Sequence, residues 1–177
     1  MELLAPNPIT ETQAYLDALL RFEEARKVDN PEWDLVTKVF NDVDTLFFHG
    51  ELKGRVQLEW MDIAGTLGLP HCGLTTTPGV NVHTSPRGVQ LRLSTSFDWA
   101  RAARQAAFAM LIHEMLHGYF GIKCGWRCAE PVWEPGADAF HGLWFMTAAK
   151  ELERRTEFVV AITEAWQMQC HPLYNTL

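Results

Sequence analysis

The sequence predicts one α+β domain: N-terminal helices, a small antiparallel sheet of about three strands, a central buried helix and C-terminal helices. Three observations carry this. Apolar residues recur at steps of three and four in residues 14–28 and 35–47. Short segments from Val56 onward alternate with period two, with Gly, Pro and Ser between them. The run from Trp99 to Phe120 then contains no Pro and one Gly, Gly118, and is apolar on nearly every side, as a core helix must be. At 177 residues the chain is long enough for one real core. The reading is a single domain over 1–177, with an N-terminal helix over 10–28, a core over 31–153 and a C-terminal helix over about 156–169.

Thr10 and Gln13 stand at capping-box spacing. Tyr15, Leu16, Leu19, Leu20 and Phe22 then line one side of the first helix. Asn30-Pro31 restarts the chain as an N-cap followed by Pro at the first helical position. Leu35, Val36, Val39, Phe40, Val43, Leu46 and Phe47 continue at helical spacing, and Gly50 ends that helix. Val56–Trp60, Cys72–Thr77, Val80–His83 and Val89–Leu93 are the strand candidates. Residues 121–136 read as a loop holding Gly125, Pro131 and Pro135, long enough to suggest a functional role. Helical spacing resumes over Phe140–Glu153 and again over Thr156–Gln169.

Composition is ordinary for a globular chain, 47% apolar and 21% charged, and no run of about 18 apolar residues suggests a membrane span. The opening MELLAPNPITETQ lacks a basic segment and a long apolar core, so the expectation is an intracellular protein, cytoplasmic or nuclear. Its cysteines, Cys72, Cys124, Cys128 and Cys170, are then reduced thiols. Cys124 and Cys128 are the only close pair, and without a second pair they cannot close a structural zinc site.

Net charge is −7, unevenly spread: residues 63–127 hold 6 basic and 2 acidic side chains, while both flanking segments are acidic. Arg87, Arg92, Arg101 and Arg104 in that segment are the candidate patch for a polyanion, or simply a solvated face. The overall charge predicts weak or absent direct nucleic-acid binding.

The chemistry lies in His113-Glu114-Met115-Leu116-His117. Residues four apart share a helix face, so His113 and His117 can offer two imidazole nitrogens to one ion. Glu114 follows the first ligand directly and is the candidate general base. Two His and a Glu on an apolar helix need partners, because an unpaired buried polar group costs free energy. Zn²⁺ is the expected cofactor, and catalytic zinc usually takes three protein ligands and leaves one position for water. The metzincin pattern is excluded, since it would need Gly and His where Phe120 and Lys123 stand. The candidates for the third ligand are His141, Glu130, Glu134 and Asp138.

His141-Gly142-Leu143-Trp144-Phe145 matches the HGxxF element that follows HExxH in SprT-like metalloproteases, the group that includes Spartan. Phe40-Asn41 through Phe47-Phe48-His49-Gly50-Glu51-Leu52 is similar to that family's FN…FFxGxL opening, and Val56–Met61 to its following strand. Val89–Ser94 resembles the strand before the zinc helix. The resemblance covers residues 36–153. It implies a zincin-like fold, His113, His117 and His141 as ligands, Glu114 as base, and a zinc metalloendopeptidase acting on protein or peptide. The family's crosslink-repair members imply a DNA-linked alternative, although no basic extension follows the helical region here. A further alternative is a non-catalytic metal-binding adaptor, which would have no need of Glu114. On analogy with other zinc peptidases, an extended peptide is expected to add to the strand near Val89–Leu93.

Overall fold

In the computed structural model of the chain, the described residues are 13–28, 32–68, 71–76, 88–95, 106–124 and 141–161. Among them are five helices and a three-stranded mixed sheet: α1 (Gln13–Ala25), α2 (Trp33–Phe47), β1 (Val56–Met61), α3 (Ile63–Leu67), β2 (Gly73–Thr76), β3 (Val89–Ser94), α4 (Ala106–Cys124) and α5 (Leu143–Thr156). The α+β class agrees with the sequence expectation. Thr10, Asn30, Pro31, the strand candidate Val80–His83 and the helical start at 99–105 lie outside the described residues.

The sheet departs from the expected antiparallel arrangement. Its order is β1-β3-β2, with β3 parallel to β1 and antiparallel to β2. The register keeps like side chains together. Val56, Leu58 and Trp60 pair with Val89, Leu91 and Leu93, so one face carries an apolar block. The other carries Gln57 opposite Gln90 and Glu59 opposite Arg92. Gly88 (φ +65°) leads into β3, where a Cβ would stand 2.2 Å from the Arg55 carbonyl oxygen. That oxygen accepts the Val89 N–H at 2.8 Å, so only glycine permits this start.

Helix α4 packs on β2, β3, α2 and α5, and is buried over 106–116 and again over 118–121. It runs to Cys124, four residues beyond the expected end at Phe120. Lys123 in its last turn reaches Glu51 at 2.7 Å and lies over the Tyr119 ring, a favourable place for a cation near a helix C-terminus. The turn after α2 is built by Asp44. Its buried carboxylate accepts the N–H groups of Leu52 (3.1 Å) and Lys53 (2.9 Å), and burial raises its pKa. Phe48 from that turn meets Tyr119 of α4 at 5.4 Å.

Two boundaries also differ from expectation. Helix α2 begins at Trp33 with Glu32 as an N-cap that makes no side-chain hydrogen bond. Trp33 sits edge-on to Trp60 of β1, 5.4 Å between ring centres, so tertiary docking sets the start. Helix α5 ends at Thr156, and 157–161 run on without helix, where a C-terminal helix from about 156 was expected; residues 162–169 lie outside the described residues. Glu157 adopts φ 61°, which breaks the helical path. Helix α3 had no counterpart in the sequence reading; Asp62 caps it by accepting the Gly65 N–H at 2.9 Å.

Candidate metal centre

The apolar surround of α4 dictates the state of its polar residues. His113 is fully buried, and Glu114 is 2% exposed. His141 arrives just before α5, at a position where Gly142 is the extended N-cap. The three imidazoles converge: the Nε2 atoms of His113, His117 and His141 lie 3.2 Å from one another on all three edges. Three nitrogens each 2.0–2.1 Å from a tetrahedral ion would stand about 3.3–3.4 Å apart. The donor set therefore fits a metal ion in size as well as chemistry.

Protonation agrees with that role. His113 Nδ1 lies 2.8 Å from the Val160 carbonyl oxygen. A carbonyl only accepts, so Nδ1 carries a proton, and a neutral ring in this tautomer has its lone pair at Nε2. Burial, with repulsion from His113 and His141, holds the His117 pKa well below the usual imidazole range. Phe145 packs the cluster from one side, stacked on His117 at 4.2 Å and 26°, with His113 at 5.1 Å and His141 at 4.8 Å.

Glu114 faces β2. The Thr75 hydroxyl lies 2.7 Å from Glu114 Oε2 and 3.0 Å from the Glu114 backbone oxygen, so its one hydrogen can serve either acceptor. Burial pushes the Glu114 carboxyl up to about 7, against a smaller downward pull from Thr75. Gly73 allows this close approach of strand and helix. A Cβ there would stand 2.7 Å from Glu114 Cγ and Oε1 and 2.8 Å from Met110 Sδ.

Of the four candidates for the third ligand, the structure brings His141 to the pair; Glu130, Glu134 and Asp138 lie outside the described residues. Thr75, Gly73 and the Val160 carbonyl had not been singled out. Thr75 is one of three consecutive threonines in a strand candidate, which does not mark it apart, and a backbone carbonyl leaves no mark in a sequence. Cys72 is buried; Cys128, Cys170 and the Cys124 side chain lie outside the described residues.

Within the candidate polyanion patch, Arg92 is already engaged. It donates to Glu59 (3.2 Å), to Thr76 (3.0 Å) and to Gln90, and little of its side chain reaches solvent. Arg87, Arg101 and Arg104 lie outside the described residues. β3 is the central strand, with β1 and β2 on its two edges, so it has no edge to offer an added peptide strand. No helix among the described residues is long and apolar enough to cross a membrane. A scan against protein-family models finds no match, and searches of curated proteins and of solved structures find none either.

Proposed function

We propose that this chain is a zinc metallopeptidase of the SprT-like type on a zincin-like fold, with His113, His117 and His141 as ligands and Glu114 as general base. The observation that carries the reading is the equal-sided triangle of three Nε2 atoms, 3.2 Å on each edge, on a buried helix that also carries Glu114. When bound, zinc supplies Lewis acidity, lowering the pKa of its water toward about 7 and polarising a carbonyl. Glu114 takes the proton of the attacking water and hands it to the departing amine. Thr75 holds one of its oxygens in place. Among the described residues β2 is an edge strand and also the strand that touches Glu114, which makes it the better surface for an extended peptide. An intact buried Glu favours this reading over an adaptor, since a purely structural site gains nothing from a buried carboxylate beside its ligands.

The test is zinc content and turnover of unfolded protein, measured side by side. Wild-type chain is expected to hold one zinc per chain. Glu114→Gln is expected to keep that zinc and lose about 10²–10⁴ in rate. Unchanged turnover in Glu114→Gln, or zinc retained in full by His141→Ala, would refute the assignment.

A further inference from the structure

The segment after α5 is tied down at several points, and two of its bonds fall on the 160–161 peptide unit. Glu157 leaves the helix with φ 61° and pairs with Arg26 of α1 at 2.7 Å. Phe158 is buried against Phe22 of α1, 5.7 Å between ring centres, and its N–H is accepted by Thr156 Oγ1 at 3.2 Å. Glu153 Oε1 then accepts two N–H groups at once, from Val160 at 2.9 Å and from Ala161 at 2.8 Å. The Ala161 N–H and the Val160 carbonyl belong to the same planar peptide unit and point in opposite directions. A carboxylate that holds the N–H on one side therefore aims the carbonyl to the other, where it meets His113 Nδ1 at 2.8 Å. The same carboxylate polarises the unit and makes its oxygen a stronger acceptor.

We infer that Glu153 is a positioning residue for His113: it holds the 160–161 peptide so that the Val160 carbonyl selects the imidazole tautomer that presents Nε2 to the metal. Metal-bound histidines commonly give their other N–H to a carboxylate or a carbonyl. Here the carboxylate acts through an intervening peptide bond. The inference rests on the metal-centre reading for its purpose, but not for its geometry.

The experiment uses the full chain and two readouts. One is the His113 tautomer in metal-free protein, from two-bond ¹H–¹⁵N NMR of the ring. The other is zinc affinity, from competition with a chromogenic chelator. Wild type is expected to show one tautomer, protonated at Nδ1. Glu153→Ala is expected to lose that preference and bind zinc about 10–100-fold more weakly. Glu153→Gln keeps an acceptor oxygen at the same reach and is expected to restore the tautomer and most of the affinity. An unchanged tautomer in a folded Glu153→Ala chain overturns the inference, whatever its zinc affinity. If the alanine variant does not fold, Glu153→Asp decides, because its shorter carboxylate draws back from both N–H groups; a wild-type tautomer there is equally fatal. Failure of the wild-type chain to bind zinc would sink the metallopeptidase reading alone, since the tautomer is read without metal.

Discussion

Helices α1 and α4 belong to one core, yet their polar groups meet opposite fates. Helix α1 turns Ala18, Phe22 and Ala25 inward and leaves Leu16, Leu19 and Leu20 exposed. Its Glu24 pairs at the surface with Lys27, just past the helix end, where an ion pair is worth little. Helix α4 is buried on nearly every side, so each polar group on it must find a partner inside the protein. His113 finds the Val160 carbonyl, and Glu114 finds Thr75. Surface helices tolerate polar residues without consequence. A buried helix carries them only at a folding cost that its function must justify. The two regions are not independent, because Phe22 of α1 supports Phe158, two residues from the carbonyl that orients His113.

The largest effect that separates the regions is expected within α1 itself. Phe22 is fully buried against Phe47 and Phe158, so Phe22→Ala should lower stability by about 3–5 kcal/mol in urea unfolding. Two positions away, Leu20 is 67% exposed, and Leu20→Ala should stay within about 0.5 kcal/mol. Equal losses at both positions would erase the proposed division between the two faces of α1.

The burden on α4 can be read from pH. Burial raises the Glu114 carboxyl to about 7 from its ordinary 4.5, so the folded state binds more protons than the unfolded state between those values. Stability from this group is therefore complete below about pH 4.5 and is lost as pH rises through 7, a difference of about 3 kcal/mol. In metal-free protein, Glu114→Gln should gain that amount on wild type between pH 4 and pH 8, the histidines cancelling between the two proteins. Parallel pH curves would mean that Glu114 is better solvated than its surroundings indicate.

A smaller effect is expected where α4 meets β2. The Cβ of Gly73→Ala would press on Glu114 and Met110, at a cost of about 1–3 kcal/mol together with displacement of the carboxylate. Loss of activity that exceeds the loss of stability would identify Gly73 as the spacer for Glu114. The smallest effect is at Gly118, where a Cβ would meet Val56 and Val89 at 3.6 Å, ordinary contact. Gly118→Ala should stabilise the chain by about 0.5–1 kcal/mol through helix propensity, measured as a higher thermal midpoint. Destabilisation there would mean that α4 sits closer to the sheet than these contacts indicate.

Much of the centre was legible in advance because helical geometry is local. The i, i+4 spacing of His113 and His117 placed both rings on one face, and the apolar run around them announced burial. His141 was one candidate among four by residue type, and the resemblance of HGLWF to a family element singled it out. What stayed hidden depends on contacts distant in sequence. The parallel pairing of β1 with β3 and the central place of β3 join segments distant in sequence, and strand alternation alone does not encode direction or order. Thr75 reaches Glu114 across 39 residues, and the Val160 carbonyl reaches His113 across 47. The sequence by itself determined most of the helices and strands, the burial of α4 and the candidate ligand residues, because these rest on periodicity and side-chain chemistry; it missed α3 and the inward face of α1, where Leu16, Leu19 and Leu20 are exposed and Ala18, Phe22 and Ala25 are buried. Only the tertiary structure decided the sheet order, the proton position on His113 and the setting of Glu114, because each is fixed by a partner that packing brings from elsewhere in the chain.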